Sequence, residues 1–384
     1  MCESLMDAKR RDSADLTQRG FQRILLVKPS SLGDVVHALP VLHGLRVRYP
    51  KAQISWLVSS DFRPIIEGHP ELDEVIDFDR RRYGAVGRSP GATGSFVAFL
   101  RELRRRRFDL VVDLQGLFRS GFLARATGAG VRLGFASARE LGWMFYTHRI
   151  PGRREDVHAA DHNYRIAEIL GFGDVPLQFD LAVTDAERMR AGELLRRTFG
   201  EPDQPFVALL PGARWETKRW APARFAALAG RLAEQTGYRP LILGGGAETA
   251  ISAEIDAQCD PPPASLVGRT SLRELVAILE QASVVVCHDS APMHLAAALG
   301  RPLVCILGPT SAQRTGPYGV AATILQVDLP CVPCYLRKLS QCRHDHGCMT
   351  GIDVESVLNS VLRAAAAGEP GSNPRKVPIR SRRC

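Results

Sequence analysis

The stretch RILLVKPSSLGDVVHALPVLHGLRVRYP, residues 23–50, decides the architecture. Arg23–Lys28 is a short apolar run closed by the turn residues Pro29 to Gly33, so it reads as a strand followed by a loop. The amphipathic stretch after it reads as a helix. Strand, loop and helix in that order open a parallel βαβ unit. Pro40 falls inside the helical pattern and should bend it unless it lies close to a first turn.

Working outward, QISWLVSS (53–60), EVIDF (74–78) and FDLVVDLQG (108–116) are further strands, the last ended by Gly116. A second cycle follows LQFDLAVTDAERMRAGELLRRTFGEPDQ (177–204), whose polar end with Pro202 and Pro205 reads as a crossing between two halves. There FVALLPG (206–212), PLILGGG (240–246), SLVG (265–268), SVVVCHD (283–289) and PLVCILGP (302–309) alternate with four helical patterns. The fold class is α/β, with two Rossmann-like domains whose parallel sheets face a central cleft; one large doubly wound sheet is the competing arrangement. The division is a disordered leader over 1–20, an N-terminal domain over 21–183 and a C-terminal domain over 184–330. A cysteine-rich segment and final helix cover 331–362, and a disordered basic tail covers 363–384.

A chain of 384 residues suits two cores better than one. Its 45% hydrophobic and 24% charged composition is that of a globular enzyme. No apolar run reaches the ~18 residues of a membrane span, and the polar start lacks a secretory signal, so a cytoplasmic address is expected. The net charge of +9 points to an acidic partner. Nucleic acid is not expected, since no zinc-finger spacing or aromatic RNA-binding strand is present.

Three stretches carry candidate chemistry. In KPSSLGDVVHALP, Ser30, Ser31 and Gly33 form a loop at a strand end, where backbone N–H groups favour anionic oxygens. Asp34 stands beside them with two roles open to it, a helix cap or a carboxylate base. In LLPGARWETKRWAP a strand ends at Pro211-Gly212, and Arg214, Lys218 and Arg219 precede a helix. That loop is either a solvated basic surface or a diphosphate site. In VVVCHDSAPMHLAAALGRP, Asp289 and Ser290 precede Pro292 in a first helical turn. His294 follows one turn in, as a core histidine or a ligand group. Between these, LGGGAET offers a glycine-rich turn with Glu248 but lacks dinucleotide-fingerprint spacing.

Together these motifs resemble the lipopolysaccharide core heptosyltransferases of glycosyltransferase family 9, from about Arg23 to Leu362. The resemblance implies the GT-B form of the two-domain fold. It implies that Asp34 is the catalytic base and that Lys218 meets the donor phosphates beside Gly212. Asp289, Ser290 and His294 would form the donor signature, with Glu248 toward the adenosine ribose and Thr270 at the adenine. Ser31, Gly33, Gln115 and the cluster Arg80, Arg81 and Arg82 would face the acceptor. The implied reaction is inverting transfer of heptose from ADP-heptose to lipid A-linked Kdo or the first heptose of the inner core. No cofactor would be required, and the enzyme would make peripheral contact with the cytoplasmic face of the inner membrane. Two departures stand out. Ala213 and Arg214 occupy positions where first-heptose enzymes carry two threonines, and Ala291 replaces a common glycine. Transfer to protein or another surface glycan, a non-catalytic nucleotide-sugar-binding protein and a nucleotide-sugar epimerase are the competing functions.

Nine cysteines are many for a cytosolic chain. Cys259, Cys287 and Cys305 lie in apolar surroundings and read as inert. Cys331, Cys334, Cys342 and Cys348 form a C-x2-C-x7-C-x5-C pattern with His344 and His346 between the last two. They are candidate ligands of a structural metal, in competition with packed thiols or a redox-labile pair.

Overall fold

The strand patterns become two parallel six-stranded sheets in a computed structural model that describes residues 16–151, 157–201, 204–320 and 322–367. The chain divides into two compact units between Ala182 and Val183. In the first, β1 (Arg23–Val27), β2 (Gln53–Ser59), β3 (Glu74–Phe78), β4 (Leu110–Asp113), β5 (Val131–Phe135) and β6 (His148–Ile150) lie in the order β3-β2-β1-β4-β5-β6. In the second, β7 (Phe206–Leu210), β8 (Arg239–Ile242), β9 (Ala264–Ser265), β10 (Val284–His288), β11 (Leu303–Leu307) and β12 (Ala322–Gln326) lie in the order β12-β11-β10-β7-β8-β9.

Counted within each unit, both sheets follow the doubly wound order 3-2-1-4-5-6, and all pairs are parallel. Chain direction reverses its march across the sheet between the first and fourth strands, and the loops there diverge to leave a crevice. That switch point lies beyond β1 and β4 in the first unit and beyond β7 and β10 in the second. The central strands β1, β7, β10 and β11 are almost wholly buried, as helices on both faces require. The second core joins Val207, Leu209, Val286 and Ile306 to Phe225 of the helix Pro222–Gln235 and Val361 of the helix Val354–Ala367.

Pro40 meets the condition under which no bend was expected: the segment splits into Leu32–Val36 and Leu39–Arg48, with Pro40 in the first turn of the second, where its missing N–H has no partner to lose. Other expectations do change. The polar loop at Pro205 is not the crossing between halves. The helix Asp185–Phe199 before it belongs to the second unit, held by Arg188 to Glu280 (2.8 Å) and by Arg273 to Glu187 (2.5 Å). The leader is ordered at its end, where Leu16 is buried and Arg48 Nη2 donates to the Thr17 carbonyl at 2.7 Å; residues 1–15 lie outside the described residues. The last helix runs five residues past Leu362, through an alanine run of high helix propensity to Ala367; the rest of the expected tail lies outside the described residues. Strands β5, β6 and β12 had no predicted counterpart. Among the described residues no helix is long and apolar enough to cross a membrane.

Candidate active site

At the first switch point the loops after β1 and β4 are tied together. Lys28 follows β1 directly and is 5% exposed. Its Nζ donates to the Leu114 carbonyl just past β4 (2.9 Å) and lies 3.6 Å from Asp34 Oδ1. The Ser30 N–H donates to Gln115 Oε1 (3.2 Å), so Gln115 also spans the gap. Behind it the buried Asp113 accepts from the Gln115 N–H (2.9 Å) and the Tyr146 hydroxyl (2.7 Å). Burial pushes the Asp113 carboxyl up against those hydrogen bonds.

Asp34 is both a cap and a free carboxylate oxygen. Its Oδ2 accepts from the Ser31 N–H (2.9 Å) and the Ser31 hydroxyl (2.8 Å), closing a capping box on the short helix Leu32–Val36. Oδ1 is left facing Lys28. Burial opposes ionisation, but the Lys28 charge and both Ser31 hydrogen bonds outweigh it and hold the carboxyl at about 2. Asp34 is therefore ionised at neutral pH and only weakly basic. Gly33 is buried in the same turn and Ser31 is exposed.

Arg80, Arg81 and Arg82 are exposed on a single helical turn after β3, capped by Asp79 through the Arg81 and Arg82 N–H groups (2.9 and 3.0 Å). They share the sheet edge of Asp34, two strands away from β1, or roughly 10 Å at ordinary strand spacing. Arg104 to Arg107 precede β4 and so lie at the opposite edge, where Arg101, Arg104, Arg105 and Arg107 line a cavity of about 550 Å³. Arg106 is bound there to Glu74 at 2.7 Å.

At the second switch point Lys218 and Asp289 meet. Lys218 Nζ lies 2.7 Å from Asp289 Oδ2 and donates to the Asp289 carbonyl at 3.0 Å, with side chains only 15% and 4% exposed. The Thr315 hydroxyl adds a 3.3 Å contact to the same carboxylate oxygen. Ser290 begins the helix Ala291–Ala298 without capping it; its hydroxyl turns back to the His288 carbonyl at 3.4 Å. An N-terminus lacking a side-chain cap, beside a lysine, favours an anion. His294 is buried one turn into that helix.

Gly212 and Glu248 approach closely: a Cβ at Gly212 would lie 2.5 Å from Glu248 Cγ and would displace that side chain. Glu248 in turn accepts from the Gly245 N–H at 2.9 Å, which fixes the glycine-rich turn after β8. Thr270 is half-buried after β9. His288, which the sequence reading passed over inside an apolar run, shapes the loop. Its Nε2 accepts from the Trp220 N–H at 2.9 Å. Burial holds the ring neutral, lowering it to about 4 against the pull of the Gly212 backbone. Lys28 was missed in the same way; the available signal in both cases was an ionisable residue ending an apolar run.

The cysteine-rich segment holds its four thiols in the second unit. Among the described residues no three His, Cys, Asp or Glu side chains are grouped as metal ligands, and the four cysteines are free thiols. They are neighbours nonetheless: burial, followed by the charges of Cys334, Cys342 and Cys331, pushes the Cys348 thiol up to about 11. His346 is occupied elsewhere, with Nε2 2.7 Å from the Thr217 carbonyl. Cys287 and Cys305 are fully buried, whereas Cys259 is only partly so.

Two sheets of this order, each with charged loops tied across its switch point, define an α/β protein of the GT-B-like class. The family model for glycosyltransferase family 9 (heptosyltransferase) matches residues 96–344. Lipopolysaccharide heptosyltransferase 1 of Pseudomonas aeruginosa is 33% identical over 316 residues, covering 81% of this chain and 86% of that protein. The structure of Escherichia coli ADP-heptose LPS heptosyltransferase II superposes with a TM-score of 0.72 at 22% identity, covering 91% of this chain and 100% of that one. The E. coli heptosyltransferase WaaC with ADP-2-deoxy-2-fluoro heptose has a TM-score of 0.69 at 25% identity, over 89% and 99% of the two chains. This chain belongs to glycosyltransferase family 9 and is a glycosyltransferase.

Proposed function

We propose that the enzyme moves heptose from ADP-heptose to a hydroxyl of the lipopolysaccharide inner core, on lipid A-linked Kdo or the first heptose, with inversion. The observation that carries the reading is the buried Lys218–Asp289 pair beside the uncapped helix start at Ser290, which is a place prepared for a diphosphate. The heptosyl and ADP names of the relatives supply the sugar and the nucleotide.

In this mechanism Asp34 Oδ1 takes the acceptor hydroxyl proton as oxygen bonds to the anomeric carbon. The bond from that carbon to the diphosphate breaks, and Lys218 with the helix start offsets the charge left on ADP. These fixed positive groups can do that work, so the reading does not call on a resident metal. Glu248 beside Gly212 serves the ribose, Thr270 the adenine, and Ser290 and His294 complete the donor side. Ser31, Gly33 and Gln115 position the acceptor, and Arg80 to Arg82 grip its carboxylate or phosphates. Exposed arginines near a lipid surface each contribute roughly 1 kcal/mol, which supports peripheral attachment at the cytoplasmic face.

Incubation with ADP-heptose and a panel of Kdo-lipid A, heptosylated core and protein acceptors, read by mass spectrometry, tests the reading. A heptose mass added to one of the two lipid acceptors is the expected result. Addition only to protein, or to nothing, would refute it.

A further inference from the structure

We propose that the cysteine-rich segment is a strap that positions Lys218 for the donor, fastened chiefly by His346. The inference rests on the reading of Lys218 as the diphosphate-binding lysine. The loop between Trp215 and Lys218 is held by this segment at successive residues. His346 Nε2 donates to the Thr217 carbonyl at 2.7 Å, and the Thr217 hydroxyl donates to the Leu336 carbonyl. The Leu339 N–H donates to Glu216 Oε2 at 3.2 Å. Arg337 lies over the Trp215 ring at 5.0 Å, and Lys218 Nζ is 4.5 Å from the centroid of the same ring.

The fastenings are local to the lysine. Thr217 is 2% exposed and directly precedes Lys218, and its carbonyl and its hydroxyl are both committed to the segment. The loop itself is a single short turn, Glu216–Lys218, which cannot fix a side chain without outside contacts. Gly308 marks how closely the parts approach: a Cβ there would lie 2.6 Å from Met349 Sδ and 3.1 Å from the Thr217 carbonyl. On this view the segment works by geometry. It keeps the ammonium group where a diphosphate needs it, so binding does not have to order the loop.

His346 sits at φ 56°, in the left-handed region that Asn tolerates, so His346→Asn keeps the backbone while its amide falls short of Thr217. His346→Gln extends an N–H to about the position of Nε2. Binding of ADP and of adenosine is measured by calorimetry for the native chain, both His346 variants, Thr217→Val, Lys218→Gln and the double variant Lys218→Gln/His346→Asn. Loss of one hydrogen bond corresponds to about a fivefold change. His346→Asn and Thr217→Val are each expected to weaken ADP about fivefold and leave adenosine unchanged, with His346→Gln restoring ADP affinity. In the Lys218→Gln background, His346→Asn should add nothing, because its effect passes through the lysine. Equal losses for ADP and adenosine, or the full loss repeated in the Lys218→Gln background, would overturn the strap. So would unchanged ADP affinity in His346→Asn when Lys218→Gln weakens it. If Lys218→Gln itself binds ADP normally, the diphosphate reading falls and takes the strap with it.

Discussion

Replacing Asp34 by Asn separates the two roles that one carboxylate plays. The Asn amide oxygen can still accept from the Ser31 N–H and hydroxyl, now at 2.9 and 2.8 Å, so the cap is kept. What disappears is the proton acceptor and the charge opposite Lys28. Asp34 is 41% exposed, so solvent screens the ion pair and its loss costs about 1 kcal/mol or less. In a unit of this size that lowers Tm by roughly 2–4 °C. Losing a positioned base instead slows turnover by ~10²–10⁴-fold, about 3–5 kcal/mol of barrier. Asp34→Ala should match that rate loss and add about 1 kcal/mol of destabilisation from the missing cap. Turnover is followed by ADP release with saturating donor and acceptor, and stability by thermal melting of the same samples. Because the carboxyl sits at about 2, it stays charged throughout the assay range, and kcat/KM should show no acid limb from Asp34 above about pH 4. Near-normal turnover of Asp34→Asn would refute the base assignment and leave the capping role alone.

Lys218→Gln should weaken ADP-heptose and ADP much more than adenosine; equal losses would mean that the lysine acts on the fold. Replacing Arg80, Arg81 and Arg82 by Ala should raise the apparent acceptor KM and spare donor hydrolysis. Binding of the native chain to anionic vesicles should fall as salt rises; an unchanged acceptor KM would move the acceptor site toward the loop after Gln115. His288 titrates at about 4 when folded against an ordinary value near 6.5, so between those values the unfolded chain binds the extra proton. Stability should therefore fall as pH drops from about 6.5 to about 4, and His288→Gln should flatten that part of a urea-unfolding series. An unaltered slope would show that the ring is not held neutral.

The two sheets were legible because apolar runs of four to six residues ending in Gly, Pro or Asp mark buried parallel strands, and both switch points carry such runs. Strands β6 and β12 were not legible: one has three residues and the other is a half-buried edge, so neither makes a strong apolar pattern. The place of the helix Asp185–Phe199 was hidden for a different reason. Its partners Arg273 and Glu280 lie more than eighty residues away in sequence, and no local composition reports them. Among site residues, Asp34, Lys218 and Asp289 were visible as charges on loops. Lys28 and His288 were not, because each terminates an apolar strand and reads as its end. Spacing marked out the cysteine-rich segment, and no spacing reports that His346 within it is drawn to Thr217.

Lys28 and Lys218 turn out to occupy equivalent stations. Each follows the first strand of its unit, and each hands its ammonium to the backbone carbonyl one residue beyond the fourth strand, Leu114 in one case and Asp289 in the other. Each also neutralises an aspartate nearby. A doubly wound sheet has a seam at this point, since neighbouring loops part company beyond the last ladder hydrogen bond, which in the first unit is Leu114 N–H to the Val27 carbonyl at 3.1 Å. The lysines are stitches across that seam. The same two groups that answer the aspartates of the crevices also draw the flanking loops together, so charge balance and loop closure fall to one side chain in each unit.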